Sequence, residues 1–519
     1  MTALRARALI LLAVLLSAWW FQVPGIANAM MRDWVDDAFF YLLVADGVVE
    51  GRGSTSDGIG ATNGYHPLWM GIHVAARAVT ADPLPILAAL QFLLLAAALL
   101  LLHAWLAPLA GPTVALFVCL LAVFERTFAR VLSTGMETHL AFVALLAVLL
   151  LLRNRAIDQM SGRRWLALQG ALLCLLFSRL DGGLCWVALA VILLRRHGVG
   201  LVARLFAAPA AVAATYLVFN VVRFGSAMPI SGRIKAGVGF GLDRLVLLFV
   251  PQTIDWPRRL TPWDPLRSLE SGLFFGLYLL GVAVLVMAMF LMLARRGRLE
   301  LSLRLLVGYA LLHTAYYTVL QQDRYSLSWA RGPELLLVVT ALTWLVSLLP
   351  RPADASPSRL ARVALAGALL AVFAAMWTHQ RDEARHCGTI RDYTTSIDQF
   401  HEGVAWIRAH TGEREVIASE SIGFLGWFAD RPIVSLDGLL NSVSYFHEYL
   451  RAGRVGAYLH EHGVRYVAQA LRKDVEPIPY MSGVLHVSQD ALRVVASFDG
   501  TSKNPRRYLV FELLPEAAP

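Results

Sequence analysis

The sequence predicts a mainly α protein: a polytopic helical membrane domain over residues 1–378, then an extracytoplasmic α/β domain over residues 379–519. Three observations predict it. Hydrophobic residues make up 57% of the chain and charged ones only 16%, against about 45–50% and about 25% in soluble domains; mean hydropathy is +0.57. Some 11–12 apolar segments alternate with Arg-rich loops. Beyond residue 378 the long apolar runs give way to short strands with period-two alternation.

The apolar segments lie near 8–25, 66–80, 84–107, 112–132, 137–152, 165–178, 182–194, 199–222, 271–294, 304–321, 333–349 and 360–378. Several fall short of the roughly 20 residues of a straight span. The first has a basic start and ends in Ala27-Asn28-Ala29, as a cleaved signal peptide does. Its long apolar run and the outer Trp19 and Trp20 instead favour a retained span with an aromatic belt. "RAR" at the start, "RNRAIDQMSGRR" (153–164), "RRHG" (195–198), "RRGRLELSLR" (295–304) and "RPADASPSRLAR" (351–362) mark cytoplasmic loops. The net charge of +9 therefore reads as topology and implies no nucleic-acid partner. Residues 26–65, 133–138, 178–182, 223–270, 322–332 and everything after 378 fall on the outer face. The expected location is the bacterial inner (plasma) membrane, multi-pass, with the N-terminus cytoplasmic. Parity between the N-terminus and 153–164 requires one early segment not to cross fully. The short segment 66–80 is expected to be re-entrant or interfacial.

In the C-terminal region, strands are expected near 415–419 and 432–436 with a short helix between them, and at "VRYVAQAL", "LRVVASFDG" and "RRYLVFELL". Cys119, Cys174 and Cys185 sit in apolar segments and Cys387 outside them, without metal spacing or a disulfide framework.

The polar motifs collect on the outer face. In "MRDWVDDAFFYLLVADGVV", a helix over 31–47 would place Asp33, Asp36 and Asp37 on one face, continued by Tyr41. Aligned carboxylates beside a membrane raise a pKa or recruit a cation. That suits a general base, or a divalent cation such as Mg or Mn held by Asp36 and Asp37. A Gly-, Ser- and Asn-rich loop ends in Tyr65 and His66, of which the imidazole is a candidate ligand for substrate or metal. Glu137 in "LSTGMETHL" and Arg179 and Asp181 in "FSRLDGG" stand at one depth, as a polar pocket or an internal ion pair. Arg233 and Lys235 in "SGRIKAG", with Arg324 and Arg331 in "QQDRYSLSWARG", are outer basic residues that the positive-inside rule does not explain. They suit a phosphate or diphosphate group, or membrane lipid head groups. There is no P-loop, GxGxxG after a strand, HExxH, or GxSxG with partners.

The order of "DDAFFYLL", "EGRG", "TNGYHPLW", "STGMET", "RLDG", "FGSAMPIS" and "FLGWFADRPIVSLDGLLN" resembles the GT-C superfamily of polyprenyl-phosphate-dependent membrane glycosyltransferases. The pattern is most similar to the branch with the mycobacterial terminal arabinofuranosyltransferases. "YHPLW", "RLDG" without its proline and "PIS" in place of "PN" depart from that branch. The resemblance implies sugar transfer from a polyprenyl-phosphate donor to a glycan, lipid or protein acceptor on the outer face, with inversion. It implies Asp36 as base, Asp37 orienting it or binding a cation, and Asp33 as third choice. Arg233, Lys235, Arg324 and Arg331 would neutralise the leaving phosphate, and the outer domain would help bind the acceptor. A transporter or flippase would instead favour ionisable groups deep in the spans and internal symmetry. A non-catalytic envelope-assembly protein would not need the acidic 33–37 segment.

Overall fold

The structure, a computed structural model, describes residues 3–22, 25–124, 134–153, 157–236, 300–319, 332–347, 397–499 and 506–515. Segments 271–294 and 360–378, together with Arg324 and Arg331, lie outside the described residues.

Charge-poor Ala/Leu runs form the helical part: α1 (Ala3–Gln22), α5 (Leu84–Ala110), α6 (Pro112–Phe124), α7 (Thr138–Leu152), α8 (Gly162–Ser178), α9 (Gly183–Phe224), α11 (Leu301–Val319) and α12 (Gly332–Ser347). Gly111, at φ 89°, ends α5, and Pro112 opens α6. Helix α9 is interrupted at Gly198 (φ 74°, ψ −178°), directly after Arg195-Arg196-His197, where the sequence separates two apolar segments. Leu99, Leu102, Trp105, Leu145, Leu149, Leu172, Leu189, Leu306 and Leu336 build one core, into which α1 packs Ala6, Ile10 and Val14. Among the described residues, two helical runs are long and apolar enough to cross a bilayer, Leu84–Ala110 and Leu180–Phe224.

Three short helices follow α1: α2 (Ile26–Asp33), α3 (Asp36–Val49) and α4 (Pro67–Val79). The continuous helix expected over 31–47 is broken, because Trp34 and Val35 are extended (ψ 157° and 156°). Tertiary contacts override the local helical preference here. The Val35 N–H donates to the Thr134 carbonyl at 3.0 Å, and the Trp34 indole lies where a side chain on Gly135 (φ +77°) would collide with it. The three carboxylates consequently do not share a helix face. Asp33 ends α2 paired with Arg32 at 2.5 Å, while Asp36 and Asp37 open α3. Helix α4 packs on α3. Its 13 residues reach about 20 Å, short of the roughly 30 Å hydrocarbon core.

The C-terminal part is a small sheet domain. Helix α13 (Ile397–His410) precedes β1 (Ile417–Ser419), α14 (Gly423–Ala429), β2 (Ile433–Ser435), α15 (Val455–Glu461), β3 (Tyr466–Arg472), α16 (Pro477–Leu485), β4 (Leu492–Asp499) and β5 (Arg506–Leu513). The strand order is β2-β1-β3-β5-β4; β1 runs parallel to β2 and β3, and β5 runs antiparallel to β3 and β4. Period-two alternation gives the sheet two apolar faces. Val434, Val467, Leu509 and Phe511 pack with Val455 and Leu459 of α15. Ile417, Ile433, Ala468 and Val510 join Phe400 and Phe424 in a core that continues into Phe39, Leu42 and Trp34 of segment 26–65. Phe39 and Phe424 stand 4.7 Å apart, ring to ring. Ser56 extends the β2 edge: its carbonyl accepts the Ile433 N–H at 3.2 Å, and its hydroxyl donates back to the Ile433 carbonyl. Segment 26–65 and the sheet domain therefore share one core.

Candidate functional site

Two adjacent carboxylates at the start of α3 do different things, because successive helical residues point about 100° apart. Asp36 is 5% exposed, and both its oxygens accept main-chain hydrogen bonds, from Phe424 N at 2.7 Å and Gly423 N at 3.0 Å. A Cβ on Gly423 would collide with the Asp36 carbonyl, so glycine is needed for this approach. Asp36 thus fastens the sheet domain to the start of α3. Asp36→Ala should lower stability by about 1.5–3 kcal/mol, the worth of bonds to a charged group. Asp36→Asn, which keeps one acceptor oxygen, should cost less. Limited proteolysis at residues 397–499 checks both, and equal resistance in wild type and Asp36→Ala would refute the docking role.

Asp37 faces the other way and is partly open. Its side chain is 26% exposed, with Lys235 Nζ 3.8 Å from Oδ2. Lys235 ends α10 (Ile230–Lys235), whose first N–H donates to Asn63 Oδ1 at 3.0 Å. From the same helix, Arg233 donates to His447 Nε2 at 2.9 Å. His447 belongs to a π-helical turn, Tyr445–Leu450; such turns are frequent at functional sites. Asp437, just after β2, is close enough to feel the charges of both Asp37 and Lys235.

Next to this half-exposed pair, with His66 between them, lies a buried polar network centred on Arg179. Its guanidinium donates to Glu137 Oε1 at 2.7 Å, to both Asp181 oxygens at 3.2 and 2.7 Å, and to the Tyr317 hydroxyl at 2.9 Å. Tyr317 in turn donates to Asp181 at 2.6 Å. His313 lies one turn before Tyr317 on α11. Its ring nitrogens meet Glu334 at 2.6 Å and Asp181 at 3.3 Å. The network reaches α3 through Glu137, whose Oε2 accepts the Tyr41 hydroxyl at 3.0 Å. His66 Nδ1 accepts the Leu180 N–H at 3.3 Å, so in the neutral ring the proton sits on Nε2, 3.5 Å from Glu137. Burial lowers the His66 pKa, which keeps the ring neutral at pH 7. Tyr65 is bonded through its hydroxyl to Ser54 at 2.8 Å, beside this network.

Helical and sheet parts in this order have known counterparts. The chain is similar to the apo oligosaccharyltransferase of Archaeoglobus fulgidus, with a TM-score of 0.54 and 12% identity over 94% of this chain and 71% of that one. It is also similar to apo ArnT from Cupriavidus metallidurans, with a TM-score of 0.54 and 14% identity over 98% of both chains. The chain has the GT-C fold. A family described as a domain of unknown function (DUF8728) matches residues 389–511, which include most of the sheet domain. No curated protein sequence matches it significantly.

Within the GT-C fold, the structure brings Glu137, Arg179, Asp181 and His66 into one network, and Asp37, Lys235 and Arg233 beside it. Asp33 stays with Arg32, and Asp36 is committed to the sheet domain. Tyr317, His313, Glu334, His447 and Asp437 were not singled out from the sequence. For two of them a signal existed: His313 and Tyr317 in "HTAYY" are four apart and share a helix face. Main-chain amides donate to both Asp36 oxygens, and the Lys235 ammonium stands 3.8 Å from Asp37 Oδ2. Among the described residues, no group of three or more His, Cys, Asp or Glu is placed to hold a metal ion.

Proposed function

We propose that the protein is a membrane glycosyltransferase that moves a sugar from a polyprenyl-phosphate donor to a cell-envelope acceptor on the outer face. The observation that carries the reading is Asp37: a partly open carboxylate on the first outer loop of a GT-C fold, facing a lysine. Asp37, rather than Asp36, is the general base. The acceptor hydroxyl attacks the anomeric carbon from the face opposite the phosphate and gives its proton to Asp37. The bond from that carbon to the phosphate oxygen breaks, and its electron pair leaves with the lipid phosphate, which inverts the centre. Lys235 and Arg233 neutralise the phosphate as its charge grows. Glu137, Arg179 and Asp181 touch no reacting atom; they hold Tyr41 and His66, and with them the loop that carries the base. A carboxylate is an adequate base here, because hydroxyl deprotonation need advance only as the glycosidic bond forms.

The test is direct. The purified chain in lipid nanodiscs is supplied with polyprenyl-phosphate sugars and candidate acceptors, and glycosidic product is measured by mass spectrometry. Product formation is expected. Movement of lipid or solute across the bilayer without a new glycosidic bond would replace the enzyme reading with that of a transporter.

A further inference from the structure

The loop after β2 brings a second carboxylate beside the half-exposed Asp37 and Lys235. Asp437 is followed by Gly438 (φ +81°), at which a Cβ would stand 3.0 Å from Ile234 of α10 and 3.0 Å from Leu450. Gly64 backs directly onto the Leu439 carbonyl. The 437–441 loop, α10 and the end of segment 26–65 therefore converge at one place. There the Asp437 carboxyl is held by one oxygen: Oδ1 accepts the Leu439 N–H at 3.0 Å and the Ser435 hydroxyl. Its other oxygen has no hydrogen-bond partner among the described residues, and the side chain is half-buried.

We infer that Asp437 is an acceptor-binding residue, its carboxylate accepting hydrogen bonds from hydroxyls of a neutral carbohydrate acceptor beside Asp37 and Lys235. This rests on the glycosyltransferase reading and gives the sheet domain a part in it. Charge sorts the two substrates. Asp37 and Asp437 form an acidic side, while α10 carries Arg233 and Lys235. An anionic phosphate is drawn to α10 and repelled by the carboxylates. Hydroxyls are well served by the carboxylates, which offer acceptors only. A negatively charged acceptor would meet the same repulsion as the phosphate, so the acceptor is neutral. Burial pushes the Asp437 pKa up to about 6, with Asp37 adding to the rise and Lys235 opposing it. The charged and titratable neighbours acting with it are Asp37, Lys235 and Tyr445. Asp437 is ionised at neutral pH and loses its charge as pH falls through about 6.

The test uses the full chain in nanodiscs, a panel of polyprenyl-phosphate hexoses and pentoses as donors, and neutral octyl glycosides as acceptors. Kinetics are then run on a pair that wild type joins. Asp437→Asn should raise the acceptor KM by about 10–100-fold, leaving donor KM within about threefold. Wild-type kcat/KM for the acceptor should fall as pH drops below about 6, and the Asn variant should lack that limb. An unchanged acceptor KM, or an equal rise in donor KM, overturns the inference. Should the Asn variant not fold, the wild-type profile decides: no acid limb near pH 6 overturns it as well. If wild type joins no pair at all, the glycosyltransferase reading falls first.

Discussion

Asp37→Asn should lower kcat by about 10²–10⁴-fold, the range lost with a general base, while leaving donor binding and the melting temperature near wild type. Asn matches Asp in size and still offers an oxygen towards Lys235, which stands 3.8 Å from the carboxylate. What it cannot do is accept the hydroxyl proton. The same substitution at Asp36 sets up the discriminating comparison. Both Asp36 oxygens are occupied by Gly423 and Phe424 N–H groups, so Asp36→Asn should show in stability and domain docking more than in the chemical step. Single-turnover rates with a fixed donor, compared at equal folded fraction, separate the two. If Asp36→Asn removed turnover in a normally folded chain while Asp37→Asn kept it, the base would be Asp36.

The sequence could not make that choice, and the reason is geometric. "DDAFFYLL" places two identical side chains one residue apart. Which of them meets the sheet domain depends on a helix start fixed by Trp34, Thr134 and Gly135, some hundred residues apart in the chain. Local pattern carried the long apolar helices and all five strands, because burial on one or two faces writes itself into apolar spacing. "VRYVAQAL" is legible as a strand for that reason, and it forms Tyr466–Arg472. It also made Glu137, Arg179 and Asp181 conspicuous, since charges at the ends of apolar segments stand out. The break at Trp34-Val35 was invisible, because nothing in "RDWVDD" opposes a helix; a carbonyl from Thr134 ends it. Asp437 stood inside the quoted "FLGWFADRPIVSLDGLLN" without a role of its own. An acid after a strand is ordinary in any loop, and only α10 packed beside it brings it beside Asp37 and Lys235.

Arg179→Met should destabilise the protein by about 3–5 kcal/mol, the cost of leaving buried charges unpaired. The guanidinium is the common partner of Glu137 and Asp181, whose side chains are 0% and 6% exposed. Methionine fills much of the volume and offers no donor. Asp181 retains Tyr317 and His313 as partners. Among the described residues Glu137 retains only Tyr41 and the His66 contact at 3.5 Å, so the deficit falls mainly on Glu137. Adding Glu137→Gln removes the stranded charge, and the double variant should therefore be more stable than Arg179→Met alone, a coupling that a double-mutant cycle in detergent melts reads directly. Strict additivity of the two single losses would mean that Arg179 and Glu137 do not act as a pair. The same cycle separates fold from function. The double variant keeps an uncharged acceptor for the Tyr41 hydroxyl, so α3 remains anchored. Transfer activity should then recover together with stability, whereas an Arg179 that touched the leaving phosphate would leave the restabilised double variant inactive.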